Sequence, residues 1–119
     1  MVQSGTREAD AWAGQLRKGV LDLAILRHLE RGDVHGYALI SALKEEGLKA
    51  ADGGEATVYQ ALQRLAKNGL AASKWSMAAA DERPRKMYSL TSDGTAALTA
   101  MAIEWRRLHS AVDRLLEDP

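Results

Sequence analysis

The chain has 119 residues, 16 basic and 16 acidic side chains, and no cysteine. That length suits one domain with a modest core, and the missing thiols exclude disulfides, thiolate metal sites and cysteine redox chemistry. A formal charge of zero excludes binding by overall polycationic character, and no apolar run approaches the roughly 18 residues that would suggest a membrane span.

Residues 1–9 read as a flexible polar N-terminal arm, and no cleavable apolar leader opens the chain, so a cytoplasmic location is expected. From Asp10, a cap-competent residue, the pattern becomes helical. Leu16, Val20, Leu23, Leu26 and Leu29 recur at spacings of four and three, and Arg31-Gly32 supplies the stop. A second helix is predicted over about 36–46, opening at His35-Gly36, with Tyr37, Ile40 and Leu43 inward and Lys44-Glu45-Glu46 outward. Glycines at 47, 53 and 54 with Asp52 make the next segment a loop.

A third helix, about 56–68, buries Val58, Leu62 and Leu65 at i, i+4 and i+7. Tyr59, Gln60, Gln63, Arg64 and Lys67 then lie away from the core, and Asn68-Gly69 ends the helix. Two short strands follow, Leu70 to Met77 and Arg85 to Leu90, around a tip that runs from Ala78 to Arg83. Arg83, Arg85 and Lys86 crowd three cations into four positions, which points to an anionic partner because like charges repel. Residues 55–91 hold six basic against three acidic side chains, whereas both flanking regions are slightly acidic. Strand alternation puts Arg85 and Lys86 on opposite faces, so they are not expected to make equal contacts.

Thr91-Ser92-Asp93-Gly94 caps a last long helix reaching about Leu116. Leu98, Met101, Trp105, Leu108, Val112 and Leu115 form a seam spaced 3, 4, 3, 4, 3. Such a seam needs a partner: the chain's own first helix, or, the favoured reading, a second copy in a homodimer.

The order helix, helix, helix, two strands, helix gives a fold that is mainly α with a small β-hairpin, a winged helix-turn-helix followed by a long C-terminal dimerisation helix. The expected organisation is the arm at 1–9, a DNA-binding domain at 10–91 and the dimerisation helix at 92–119. Several motifs refine this: Lys18-Gly19-Val20-Leu21-Asp22-Leu23-Ala24-Ile25-Leu26, Val34-His35-Gly36-Tyr37, Thr57-Val58-Tyr59 with Leu62 and Arg64-Leu65, Gly69-Leu70, and Arg85 to Thr91 with Gly94 beyond. In this order the chain resembles the PadR family of bacterial transcriptional regulators, in its compact branch with one short C-terminal helix. Family members usually carry glycine before the threonine and proline after the tyrosine; here these are Ala56 and Gln60. The change bears on operator preference rather than fold.

The resemblance implies a homodimer on a palindromic operator, acting as a ligand-responsive repressor. The third helix would enter the major groove, where Gln60 and Gln63 can pair with adenine and Arg64 with guanine or phosphate. Thr57, Tyr59 and Lys67, with His35 and Tyr37 at the second-helix start, would meet phosphates, as would Arg83, Arg85 and Lys86 in the wing. Lys74 is a weaker candidate. Some family members bind flat aromatic compounds between tryptophans at the dimer interface, and Trp105 with Met101, Leu108 and Trp12 would form such a pocket here. Trp105 as plain dimer core with no ligand is the slightly favoured reading, and Trp75 is expected to pack beneath the hairpin.

His28, His35 and His109 are too dispersed for a metal site, and neither a cofactor loop nor a catalytic constellation is visible. An enzyme is therefore not expected. The competing reading is a winged-helix protein–protein module without DNA binding, against which the cationic wing argues.

Overall fold

The computed structural model describes residues 4–48, 54–76 and 83–118. Its elements are α1 (Ser4–Arg31), β1 (Val34–His35), α2 (Gly36–Glu45), α3 (Glu55–Lys67), β2 (Ala71–Ser76), β3 (Arg85–Leu90) and α4 (Ser92–Glu117). Helix α1 starts at Ser4, within the segment read as an arm, because Glu8, Ala9, Ala11 and Ala13 are good helix formers that outweigh the missing apolar stripe. Its buried stripe is also displaced. Leu21, Ile25, Leu26 and Leu29 enter the core, while Leu16 is exposed.

Helices α2 and α3 add Leu39, Ile40, Leu43, Val58, Ala61, Leu62 and Leu65 to that core. Tyr37, expected inward, is 68% exposed, and Leu39 takes the inward place. Both helices end in the same hydrogen-bonded stop. After α2, Leu48 N–H donates to Leu43 O and Gly47 N–H to Lys44 O; after α3, Leu70 N–H donates to Leu65 O and Gly69 N–H to Ala66 O. Gly47 and Gly69 supply the left-handed backbone this stop requires, at φ of 75° and 79°.

The sheet is antiparallel with three strands in the order β1-β3-β2, so the hairpin gains a short strand that the sequence pattern does not reveal. Val34 pairs with Tyr88 and His35 with Met87 on one side of β3, while Ser73 faces Tyr88 and Trp75 faces Lys86 on the other. Alternation places Ala71, Ser73 and Trp75 on the face of the buried Tyr88. Trp75 is nonetheless 66% exposed, so it does not pack beneath the hairpin. Of the predicted first strand and tip, residues 77–82 lie outside the described residues.

Thr91 ties the wing to α4. Its hydroxyl donates to Gly69 O at 2.6 Å and accepts from Gly94 N–H at 2.9 Å, capping the helix. Gly94 is buried so tightly that a methyl group there would stand 2.0 Å from Leu70 O. Beyond Leu98 and Met101, α4 runs clear of the core. The radius of gyration is 17.0 Å, against roughly 13–14 Å for a compact chain of this length. The excess comes from the projecting ends of α1 and α4.

Candidate nucleic-acid interface

The packing of α2 on α3 begins at Gly36, which brings its backbone against the ring of Tyr59. His35 caps α2, its Nδ1 accepting from Ala38 N–H at 3.3 Å. On the other side of the same ring, Arg85 Nη1 stands 3.1 Å from Nε2. A neutral imidazole has only one acceptor nitrogen, so these two donors cannot both be satisfied by it. These contacts gather the second-helix start, the third helix and the wing around one open hollow of about 460 Å³, lined by His35, Gly36, Tyr37, Tyr59, Gln63, Arg85, Lys86 and Tyr88.

Six of the residues singled out from sequence therefore share a single hollow: His35, Tyr37, Tyr59, Gln63, Arg85 and Lys86. Arg85 and Lys86 both reach it despite lying on opposite strand faces. The Lys86 ammonium stands 5.9 Å from the centre of the Tyr88 ring, within cation–π range. Burial, and then the nearby Tyr59 phenol, push the Tyr88 hydroxyl above its ordinary pKa and keep it neutral. Thr57, Gln60 and Lys67 are exposed along α3, and Arg83 is exposed just before β3.

Among the described residues, Lys67, Lys74, Arg83, Arg85 and Lys86 form no ion pair with a carboxylate, whereas Arg27, Arg64 and Arg107 do. Arg64 differs from the expectation. Its Nη1 and Nη2 donate to Asp22 Oδ2 and Oδ1, each at 2.8 Å, which ties α3 to α1. The hydrogen bonds to Asp22, and then its charge, push the Arg64 pKa further up.

Asp22 was not singled out from sequence. The signal was available, since it is the one charged residue in the apolar run from Val20 to Leu26, and a carboxylate in such a run needs a partner. His28 links α1 to the end of α2, its Nε2 standing 2.7 Å from Glu46 Oε1.

The residues proposed for an effector separate. A groove of about 670 Å³ runs between α1 and α4, and Trp105 lines it with Val20, Leu23, Ala24, Leu98 and Ile103. Met101, Leu108 and Trp12 are not among its lining residues. Trp105 is 38% exposed and stacks on His109, ring centres 5.4 Å apart. Among the described residues, no group of three His, Cys, Asp or Glu side chains is arranged to hold a metal ion. No described helix is long and apolar enough to cross a membrane.

Residues 25–100 match the model of the transcriptional regulator PadR-like family. A PadR family transcriptional regulator from Eggerthella lenta is 30% identical and superposes with a TM-score of 0.84, over 99% of this chain and 100% of that one. A PadR-like regulator from Bacillus cereus is 28% identical with a TM-score of 0.78, over 88% and 99%. Bacillus subtilis PadR, solved in complex with operator DNA, is 30% identical with a TM-score of 0.61, over 71% of this chain and 47% of that one. With this match over its core, α3 and the wing, the chain belongs to the PadR-like family, whose members are transcriptional regulators and not enzymes.

Proposed function

We propose that this protein is a cytoplasmic repressor that binds a palindromic operator as a homodimer and releases it when a small aromatic effector binds. The observation that carries the DNA-binding part is the continuity of the outer face of α3 with the exposed cations of the wing around one hollow. The likeness to a PadR fold solved on operator DNA supports the same reading. In this reading residues 10–91 form the DNA-binding unit and 92–119 the dimerisation helix. Gln60 and Gln63 read base edges in the major groove. Thr57, Tyr59, Lys67, His35, Tyr37 and the wing cations hold phosphates.

The homodimer is supported by apolar surface that one copy leaves in water. Leu108, Val112, Leu115 and Leu116 on α4 are exposed, as are Trp12 and Leu16 on α1. Burial of such a stripe is worth about 25 cal/mol per Å², and a long helix bare on one side gains most from a copy of itself. Two-fold symmetry of the protein then demands an inverted repeat in the DNA. The groove beside Trp105 supplies an aromatic wall for the effector.

Selection of duplexes from a random-sequence pool, followed by measurement of chains bound per duplex, tests the proposal. The expected result is an enriched inverted repeat with two chains on it. Recovery of no motif would remove the DNA-binding reading and favour a protein–protein module.

A further inference from the structure

We infer that Arg64 is a positioning residue that fixes the rotation of the reading helix, not a reader of bases. This rests on the proposed DNA-binding role of α3. The Arg64–Asp22 contact is a two-point fork, both bonds at 2.8 Å, between positions 42 residues apart. A fork of this kind fixes direction as well as distance, because the planar guanidinium must lie in line with the carboxylate.

Arg64 stands in the last turn of α3, whereas helix-turn-helix docking uses the first half of the reading helix. With 3.6 residues per turn, it also lies on the flank of α3 beside Thr57 rather than at the outer pole with Gln60 and Lys67. From this flank it reaches back to α1. Gln60 is one turn ahead of it, so a helix free to rotate at Arg64 would misdirect the Gln60 amide. Base contacts tolerate about 10–20° of error. An ion pair half open to water contributes little to folding stability, so the fork acts through orientation.

The test measures binding of the full chain to the best duplex it selects from a random pool, across a salt series, for wild type, Asp22→Asn, Arg64→Met, Arg64→Lys and the Asp22→Asn/Arg64→Met double variant. The inference expects each single variant to bind about tenfold more weakly. The double variant should be no worse than either single one, the salt slope should stay that of wild type, and base preference should relax alike in every variant, Asp22→Asn included. Arg64→Lys keeps the charge that a phosphate contact needs but loses the fork, so it should fall with the others.

Asp22→Asn that binds as well as wild type or better overturns the inference, as does Arg64→Lys with full affinity. Losses that add in the double variant, or a salt slope that drops by about one on losing Arg64, overturn it too. Thermal melting confirms that each variant is folded; should Arg64→Met melt early, the Asp22→Asn and Arg64→Lys pair decides alone. A wild-type chain that selects no duplex removes the DNA-binding reading and this inference with it, an outcome distinct from all of these.

Discussion

The ring of Tyr59 lies directly over the α-carbon of Gly36, so close that a methyl group there would sit 2.5 Å from Tyr59 Cε1. This packing joins the start of α2 to the first half of α3, which carries the side chains proposed to read bases. Gly36→Ala should lower stability by about 1–3 kcal/mol through overpacking, read as a shifted denaturation midpoint. In a Tyr59→Leu background the same substitution should cost clearly less, since the clashing ring is gone.

Gly94 has less room to yield. A methyl group there meets Leu70 O at 2.0 Å and Leu90 Cδ1 at 2.6 Å, and the first of these is backbone. Gly94→Ala should therefore cost about 3 kcal/mol or more, exceeding the loss at Gly36. Comparable melting of the two variants would contradict this.

The wing and the reading helix should fail in different ways. Replacing Arg83, Arg85 or Lys86 by Ala should weaken binding to all duplexes alike and lower the salt slope by about one for each phosphate that the variant no longer neutralises. Gln63→Ala should leave the slope unchanged, cost about 1–3 kcal/mol and relax preference at one base pair. Competition binding with single-base operator variants separates the two patterns.

The apolar seam of α4 sets a prediction on assembly. Leu108 is 60% exposed and Leu115 72% in one copy, so Leu108→Glu with Leu115→Glu should give a folded monomer by analytical ultracentrifugation. Operator affinity should fall with it, because half-sites would then be bound singly.

Tyr88 predicts an alkaline limit. Its folded pKa is raised above the unfolded value by burial first and by Tyr59 second. The associated stability is fully present below the unfolded value, about 10, and is lost as pH rises through the higher folded value. Urea midpoints between about pH 9 and pH 11.5 should decline more steeply for wild type than for Tyr88→Phe.

Much of the fold is legible in the sequence because helix stops and caps are local. Asn68-Gly69 and Thr91 announce boundaries through the hydrogen bonds that their own backbone and side chains make. The long-range features are not local. Strand β1 consists of Val34 and His35 alone, too short to carry a period-two pattern, and it exists only because β3 lies beside it. Tyr37 reads as inward by spacing from Ile40, yet the tight seat of Gly36 on Tyr59 turns the helix so that Leu39 faces the core instead. Within the candidate site, residue types were readable one by one. That His35, Tyr59 and Arg85 surround one hollow, and that Arg64 turns aside to Asp22, depend on packing between segments about 20 to 50 residues apart and leave no spacing signature.

The proposed function makes helix α3 and the wing, taken together, one surface for sequence-specific binding of DNA. Equilibrium binding of the wild-type chain to its selected duplex and to a scrambled one, across a salt series, tests this most directly. The expected result is a steep linear fall of log affinity with log salt, near −0.9 per phosphate contact, together with preference for the selected sequence of about a thousandfold or more. Equal affinity for both duplexes, or binding indifferent to salt, would contradict it.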